Sequence, residues 1–163
     1  MQPFVHLHVH SQYSVLDGQA SVKALVDKAI ANGMRGIALT DHGNMFGIKE
    51  LTDYVNKKNK DVDGEIKNLK KTIEELKSAD AVDQEALSKA ETALKEAESK
   101  IFTPIIGCEM YVADNDMTDR SNKKDIGRHL IVLAKNQHGY HNLIKLVSNA
   151  WTDGYYYHPR TDK

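Results

Sequence analysis

The stretch that decides the fold is HLHVHS, residues 6–11, in which three histidines alternate with apolar residues. From Phe4 to His10 the chain has a period of two, which is typical of a β-strand. One face of this strand would be apolar and the other would carry imidazoles: Val5, Leu7 and Val9 against His6, His8 and His10. Neutral imidazole binds transition metals, and i, i+2 spacing aims the rings into one space. The pattern favours a metal site over the alternative, in which one or two of these histidines lie in the core or on the surface.

Strand-like and helical patterns alternate along the rest of the chain. They predict a helix capped by Ser21 and closed by Gly33, a strand from Gly36 to Thr40, a helix beginning near Asn44, strands Pro104–Val112 and His129–Leu133, and a helix containing Leu143 and Trp151. This alternation is typical of a parallel α/β arrangement with its site at the carboxyl ends of the strands. A closed eight-unit barrel takes roughly 250 residues. Four units in 163 residues therefore predict an incomplete barrel, and we expect the chain to be a fragment.

Residues 61–100 have a different pattern. Apolar residues recur at intervals of three and four on both sides of a polar break, SADAVD at 78–83: Ile66, Leu69, Ile73 and Leu76, then Leu87, Ala90, Leu94, Ala97 and Ile101. This spacing predicts an antiparallel helical hairpin with a narrow coiled-coil seam, and Asp83 as the N-cap of its second arm. We interpret the hairpin as a solvated insertion. The alternative is a docking arm for a partner.

Composition sets limits on the classes of function. The chain is 40% hydrophobic and 28% charged, with a formal net charge of −1, so no global charge attracts nucleic acid or an anionic membrane. The single cysteine, Cys108, fits a reducing compartment. The N-terminus lacks the pattern of a signal peptide, and no window has the ~20 apolar residues of a membrane helix. We expect a cytoplasmic protein without membrane partners.

Further chemistry-bearing residues fall at the predicted strands. Asp41 and His42 follow the second strand, Glu109 interrupts an apolar strand, and His129 opens the fourth. A carboxylate on a buried face costs several kcal/mol unless it is paired or bound to a metal. Taken alone, Glu109 could meet a lysine and His129 could cap a strand, but their convergence predicts one site. By contrast, the remaining histidines are expected at the surface: His138, His141 and His158.

Four ordered motifs resemble the PHP (polymerase and histidinol phosphatase) family: HLHVHSQYSVLDG, GIALTDHGNMFG, PIIGCEMYV and HLIVLAKNQHGYHNLIKLVS. More closely, they are similar to the N-terminal PHP domains of the bacterial DNA polymerase III alpha subunits. The tail GYYYHPRTDK supports this narrower resemblance, because it is similar to the segment that joins the fourth and fifth units in those polymerases. The resemblance covers everything except the hairpin.

The resemblance implies a distorted seven-stranded (β/α) barrel with up to three divalent metal ions, for which the mixture of histidines and carboxylates favours zinc or manganese. The implied ligands are His8, His10, Asp17, His42, Glu109 and His129, with His6 as a further ligand where many members carry Asp. Glu109 would bridge two ions, and Asp41 would orient His42. The implied catalytic residues, acting through the ions, are His8, His10, His42 and Glu109, supported by Asp41. The family's remaining ligands would lie beyond Lys163.

Three functions follow from the resemblance. The first is metal-dependent phosphoester hydrolysis, either 3′–5′ removal of a misincorporated nucleotide or cleavage of pyrophosphate. The second is structural: the metals would staple a barrel that braces the polymerase and docks a proofreading exonuclease subunit. In both, the partners are DNA, through the rest of the parent polymerase, and other replicative subunits, and we expect this chain alone not to polymerise DNA. The third, a free-standing phosphatase of the histidinol phosphate type, does not need the GYYYHPRTD segment.

Overall fold

The computed structural model describes residues 4–79, 83–122 and 125–162. Helices and strands alternate through this part of the chain. The helices are α1 (Val22–Ala31), α2 (Ile48–Ser78), α3 (Gln84–Lys100) and α4 (Gln137–Thr152). The strands are β1 (Gly36–Leu39), β2 (Thr103–Val112), β3 (Arg128–Leu133), β4 (Tyr155–Tyr156) and β5 (His158–Thr161). None of the helices in the described ranges is long and apolar enough to span a membrane.

Strand β2 is the centre of the sheet. Along one edge it pairs in parallel first with β1, from Gly36↔Thr103 to Leu39↔Ile106, and then with β5, at Tyr111↔Arg160 and Val112↔Thr161. Along the other edge it pairs with β3 over Gly107–Val112. The sheet is only partly parallel, and within the described residues it does not close. The predicted α/β fold, the first part of an unclosed barrel, is confirmed.

The direction of β3 corrects the expectation of a parallel arrangement. β3 runs antiparallel to β2, with Gly107 opposite Leu133 and Val112 opposite Arg128. The connection that precedes β3 contains no helix in the described residues, and parallel neighbours need a long crossover, usually helical. The chain therefore returns alongside β2 in the opposite direction. As a result, the start of β3 lies beside the end of β2.

The predicted strand from Phe4 to His10 is wrong as a regular strand. This N-terminal segment follows β1 through only two backbone hydrogen bonds, from Ala38 N to His6 O and from Thr40 N to Val9 O, each 2.9 Å. Val9 packs against the core, but Leu7 is 51% exposed, so the apolar face is incomplete. The alternation of the sequence still places His8 and His10 on one side. A period of two predicts which side chains share a face, but it does not guarantee a continuous ladder.

Helix α1 forms where the sequence predicts it. The Ser21 side chain accepts a hydrogen bond from Ala24 N at the N-cap, and Gly33 takes a positive φ of 73° just after the helix. Val22 and Val26 are fully buried against β1 and the first turns of α2. Burial of each valine side chain contributes roughly 1.5–3 kcal/mol.

Helix α2 is longer than the sequence suggested, because the helix after His42 and the first hairpin arm form one continuous helix of 31 residues. The second half of α2 packs antiparallel against α3, with ion pairs Lys70–Glu98 and Lys77–Glu91 between them. Asp83 caps α3, as predicted, by accepting from Glu85 N and Ala86 N. The middle of the predicted break, residues 80–82, lies outside the described residues.

Candidate metal centre

Glu109 is the hub of the site. It lies on β2 with 4% of its surface exposed. Its Oε2 is 2.7 Å from His8 Nε2 and 2.6 Å from His10 Nε2, and its Oε1 is 2.9 Å from His129 Nδ1. A buried carboxylate is stable only with charged or hydrogen-bonding partners. Here those partners are imidazoles rather than the lysine that the alternative interpretation required.

Three segments of the chain deliver the histidines around Glu109. His8 and His10 come from the N-terminal segment, His42 follows β1, and His129 lies near the start of β3. His42 forms an isolated parallel bridge with Glu109, while His129 lies opposite Tyr111 in the β2–β3 ladder. His129 reaches the site because β3 is antiparallel. In a parallel strand, a residue at the start would lie at the far end of the sheet.

The ligand atoms fall into two groups that share Glu109. We call His8, His10 and Glu109 the first triad, and His42, Glu109 and His129 the second triad. Within each triad, one potential ligand atom per residue lies within 4.8 Å of the others. Sets of imidazoles with a carboxylate suit first-row transition metals. A carboxylate common to both triads can bridge two ions.

The orientation of His42 would suit a metal ligand. Its Nδ1 is 3.0 Å from Asp17 Oδ2, so a proton on Nδ1 would be donated to that carboxylate. Nε2 is then an acceptor, and it is buried without a hydrogen-bond partner among the described residues, 3.9 Å from Glu109 Oε1. Buried polar atoms rarely lack a partner, and a ring nitrogen opposite a carboxylate-bound N–H is the usual donor to a metal. The residues present therefore fit a divalent ion.

Asp17 lies behind the rings rather than among the atoms of either triad. Its two oxygens contact the outer nitrogens of two histidines: Oδ1 is 3.0 Å from His10 Nδ1, and Oδ2 is 3.0 Å from His42 Nδ1. Ser14 also donates a hydrogen bond to Oδ1. Burial acts to raise the pKa of Asp17, but the hydrogen bonds from Ser14 and His42 and the charge of His10 outweigh it, so the pKa lies below its ordinary value.

Glu109 is also held in its charged form. Burial acts to raise the pKa of Glu109. The hydrogen bonds from His8 and His10, together with the charges of His42 and His8, outweigh this effect, so the pKa lies below its ordinary value. An ionised carboxylate surrounded by imidazole nitrogens is a donor set that suits a divalent transition-metal ion.

Comparison with known proteins agrees with this geometry. The model of the PHP domain family matches residues 6–163. The chain belongs to the PHP domain family. It is 41% identical to the DNA polymerase III subunit alpha of Treponema pallidum over 162 residues, and 38% and 37% identical to those of Borreliella burgdorferi and Chlamydia pneumoniae. Each match covers 98% of this chain but only 10% of the relative's length.

The resemblance implied that Asp41 orients His42. In this PHP domain, however, Asp41 does not contact the imidazole of His42. Its carboxylate is buried and accepts from Ser11 N at 2.6 Å and from Ser11 Oγ at 2.8 Å. The chain is still extended at these two residues, where it runs beside Glu109, so the neighbouring side chains of Asp41 and His42 point to opposite sides. Burial raises the pKa of Asp41, although the bonds from Ser11 oppose this. The position of Asp41 suits anchoring of the residue after His10.

His6 lies outside both triads. Its ring is exposed and packs edge-on against Phe4, with centroids 4.8 Å apart. It borders a neighbouring cavity of about 320 Å³ together with His8. Because the N-terminal segment is irregular, His6 does not follow His8 and His10 toward Glu109. The structure thus brings together His8, His10, His42, Glu109 and His129, with Asp17 behind them, and leaves His6 apart.

Two rings beside the PHP site were not predicted from the sequence. Tyr111 stacks on His42 with centroids 4.4 Å apart and planes 5° apart, and His158 stacks on the other face of Tyr111, also at 4.4 Å. His158 is therefore half-buried rather than a surface residue, whereas His138 and His141 are exposed as predicted. Tyr111 shares a strand face with Glu109 through the period of two, which was a usable signal. His158 had none, because the pairing of β5 with β2 is non-local.

Proposed function

We propose that this PHP domain binds divalent metal ions and hydrolyses phosphoester bonds within a bacterial replicative polymerase. The observation that carries the proposal is Glu109, buried and ionised among His8, His10, His42 and His129. The favoured reactions are 3′–5′ removal of a misincorporated nucleotide and cleavage of pyrophosphate. The relatives' name supports DNA replication as the setting. DNA and other replicative subunits would be partners, in the cytoplasm, through the complete protein.

Each residue has a defined task in this proposal. His8 and His10 would hold one ion and His42 and His129 another, with Glu109 between them, and a third ion would need ligands outside the two triads. Zinc or manganese fits the mixture of imidazole and carboxylate donors. When bound, such ions stabilise the charge that develops on a phosphoryl group and activate water for attack. Asp17 fixes the proton on the Nδ1 atoms of His10 and His42 and so presents both Nε2 atoms inward. Tyr111 covers one face of His42 and keeps water from it.

We also propose that residues 1–163 form about four β/α units of the PHP barrel, interrupted by the insertion at 61–100. The proposal is supported by the continuity of the site across the hairpin. Asn59 and Phe102 join at its base through two hydrogen bonds, from Asn59 Nδ2 to Phe102 O at 2.9 Å and from Phe102 N to Asn59 Oδ1 at 3.1 Å. After the insertion, the chain thus enters β2 beside the residue at which it entered the hairpin.

The experiment uses the full-length protein that contains this sequence. His8→Ala and Glu109→Ala should reduce metal content and lower the rate of 3′-end hydrolysis by more than about a hundredfold, since even the outer partners of metal ligands are worth 10–100-fold. Polymerase activity on matched primers serves as the folding control. If both variants lose metal but keep the unmodified hydrolytic rate, the catalytic proposal fails.

A second candidate is a structural metal site. It is favoured by one observation: the ligands come from four separate segments of the chain, so bound ions would cross-link them. The metals would then brace the polymerase and support docking of a proofreading subunit without hydrolysis. In that case His8→Ala would lower the melting temperature and polymerase yield, and the unmodified protein would release neither nucleotide nor phosphate.

A further inference from the structure

We propose that Ser14 is a positioning residue that aligns both triads of the metal centre, an inference that rests on the proposed metal site. Ser14 is 2% exposed, although it lies in the surface turn that follows the N-terminal segment. Its hydroxyl is occupied on both sides: it donates to Asp17 Oδ1 and accepts from His42 N at 3.1 Å. The hydroxyl therefore connects the backbone of one ligand to the carboxylate behind two ligands.

Asp17 transmits the position of Ser14 to both triads. One of its oxygens faces Nδ1 of His10, a member of the first triad, and the other faces Nδ1 of His42, a member of the second. Rotation of this one carboxylate would misalign both imidazoles. The Asp17 side chain is 38% exposed, so solvent competes for its oxygens. The bond from the buried Ser14 hydroxyl is what keeps the carboxylate turned toward the rings.

The turn is shaped to hold Ser14 in this place. Asp17 N and Gly18 N both donate to Ser14 O, at 3.0 Å and 2.7 Å, so the chain wraps around the serine. A Cβ at Gly18 would lie only 1.9 Å from Ser11 O, which excludes any other residue without movement of the turn. Ser14 thus has little freedom, and its hydroxyl can act as a fixed reference for Asp17.

The decisive test is metal binding by Ser14→Ala in the full-length protein, measured by titration with Zn²⁺ and by the visible absorption of bound Co²⁺. We expect the dissociation constants of the ions at both triads to rise about tenfold or more. The Co²⁺ absorption bands should also shift, because the ligand geometry changes. Ser14→Thr, which keeps the hydroxyl, should recover part of the affinity. Asn59→Ala is the matched control: it also removes two buried hydrogen bonds, but at the base of the hairpin. Asn59→Ala should lower the melting temperature and leave the metal affinity of both triads unchanged.

Two further variants isolate the route through Asp17. In a His129→Ala background, where the second triad is broken, Ser14→Ala should still weaken the remaining ion about tenfold, because Asp17 also faces His10. When it is combined with Asp17→Asn, Ser14→Ala should raise the dissociation constant little further. Ser14 acts through Asp17, and the effects of residues that act through one another are not additive. Equal affinity in Ser14→Ala and unmodified protein would overturn the positioning role, as would an effect limited to the second triad. If the unmodified protein binds no ion, the metal site itself fails, and this inference falls with it.

Discussion

Residue by residue, the site is built from groups that have no other good partner. Glu109 interrupts an apolar strand and meets only imidazoles, and His42 Nε2 is buried without a hydrogen bond in the described ranges. The unpartnered His42 Nε2 would be costly in a protein that bound no cation, because an unsatisfied buried polar group costs about 1–3 kcal/mol. The same argument from local chemistry predicted these residues from the sequence. It could not predict Ser14, because nothing in a single serine signals that its hydroxyl will be buried against Asp17.

His158 provides a test of the aromatic stack by pH. Burial, with the nearby His42 and His129, lowers the pKa of His158 from its ordinary 6.5. The unfolded chain therefore binds this proton more readily than the folded one, so stability falls as the pH drops below about 6.5 toward the folded-state pKa. His158→Phe keeps a flat ring on Tyr111 but cannot take up a proton. In the presence of a chelator, its melting temperature should fall less than that of the unmodified protein between about pH 7.5 and 5.5.

The control for this prediction is His138→Phe, which removes an exposed histidine that contacts none of the stacked rings. Its pH profile should run parallel to that of the unmodified protein. If His158→Phe does the same, the stack does not hold His158 in its neutral form.

Among the elements, those with local signals were predictable and those that depend on distant pairing were not. The caps of α1 and α3 follow from Ser21 and Asp83, because a capping side chain bonds to a backbone N–H two or three residues away. The direction of β3 depends on its pairing with β2, and no local pattern encodes it. The prediction of a strand in the N-terminal segment was wrong for a similar reason. The alternation of this segment is regular, but its neighbour β1 is only four residues long.

Strand β5 acts as an anchor through Arg160, which is fully buried. Its guanidinium donates to the carbonyl oxygens of Met117 and Asp119, both at 2.9 Å, and of Asp125 at 3.0 Å. Arg160→Lys keeps the charge but cannot reach all three carbonyls, so we expect the free energy of unfolding to fall by about 1.5–3 kcal/mol for each hydrogen bond that is lost. Urea unfolding measures this loss, and limited proteolysis should show faster cleavage within residues 113–122.

The matched control is Arg128→Lys, at an exposed arginine that pairs with Asp114 at 2.7 Å. Exposed ion pairs contribute little, so this variant should leave both the unfolding midpoint and the cleavage rate unchanged. The same unfolding midpoint and cleavage rate in the two variants would show that the carbonyl contacts of Arg160 do not hold residues 113–122 in place.

The hairpin formed by α2 and α3 can be tested as a separable element. Replacement of residues 62–99 by a short glycine–serine linker should preserve metal content, since Asn59 and Phe102 already hold the two ends together. The ion pairs that would be lost, such as Lys70–Glu98, are exposed. The measurement is metal stoichiometry beside far-ultraviolet circular dichroism, which should report the missing helix. Loss of metal in the shortened protein would mean that the hairpin supports the site directly.

For the molecule as a whole, the candidate metal centre joins the N-terminal segment, the end of β1, β2 and β3. A ligand that binds only the folded state stabilises it by about 2.7 kcal/mol at a hundredfold excess over its dissociation constant. For a domain of this size, about 1 kcal/mol shifts the melting temperature by 2–4 °C. We therefore expect Zn²⁺ or Mn²⁺ to raise the melting temperature by roughly 5–10 °C, and a chelator to reverse the change.

Two variants sharpen this prediction. His6→Ala should keep the full metal-dependent gain, because His6 lies outside both triads. Glu109→Ala should lose it, because both triads share that carboxylate. The same gain in both variants would place the stabilising ion elsewhere in the protein.

The junction between Asn59 and Phe102 also has a consequence for the order of folding. Glu109 must find His10 across 99 positions of chain, a separation that slows the search for the native contact. The hairpin can form early from its own local contacts, and its closed base then shortens the path by the 43 positions between Asn59 and Phe102. The saving in loop-closure entropy is about 0.5 kcal/mol, since this cost grows only with the logarithm of length. An insertion of this kind leaves assembly of the site nearly as fast as it would be in a chain that lacked it.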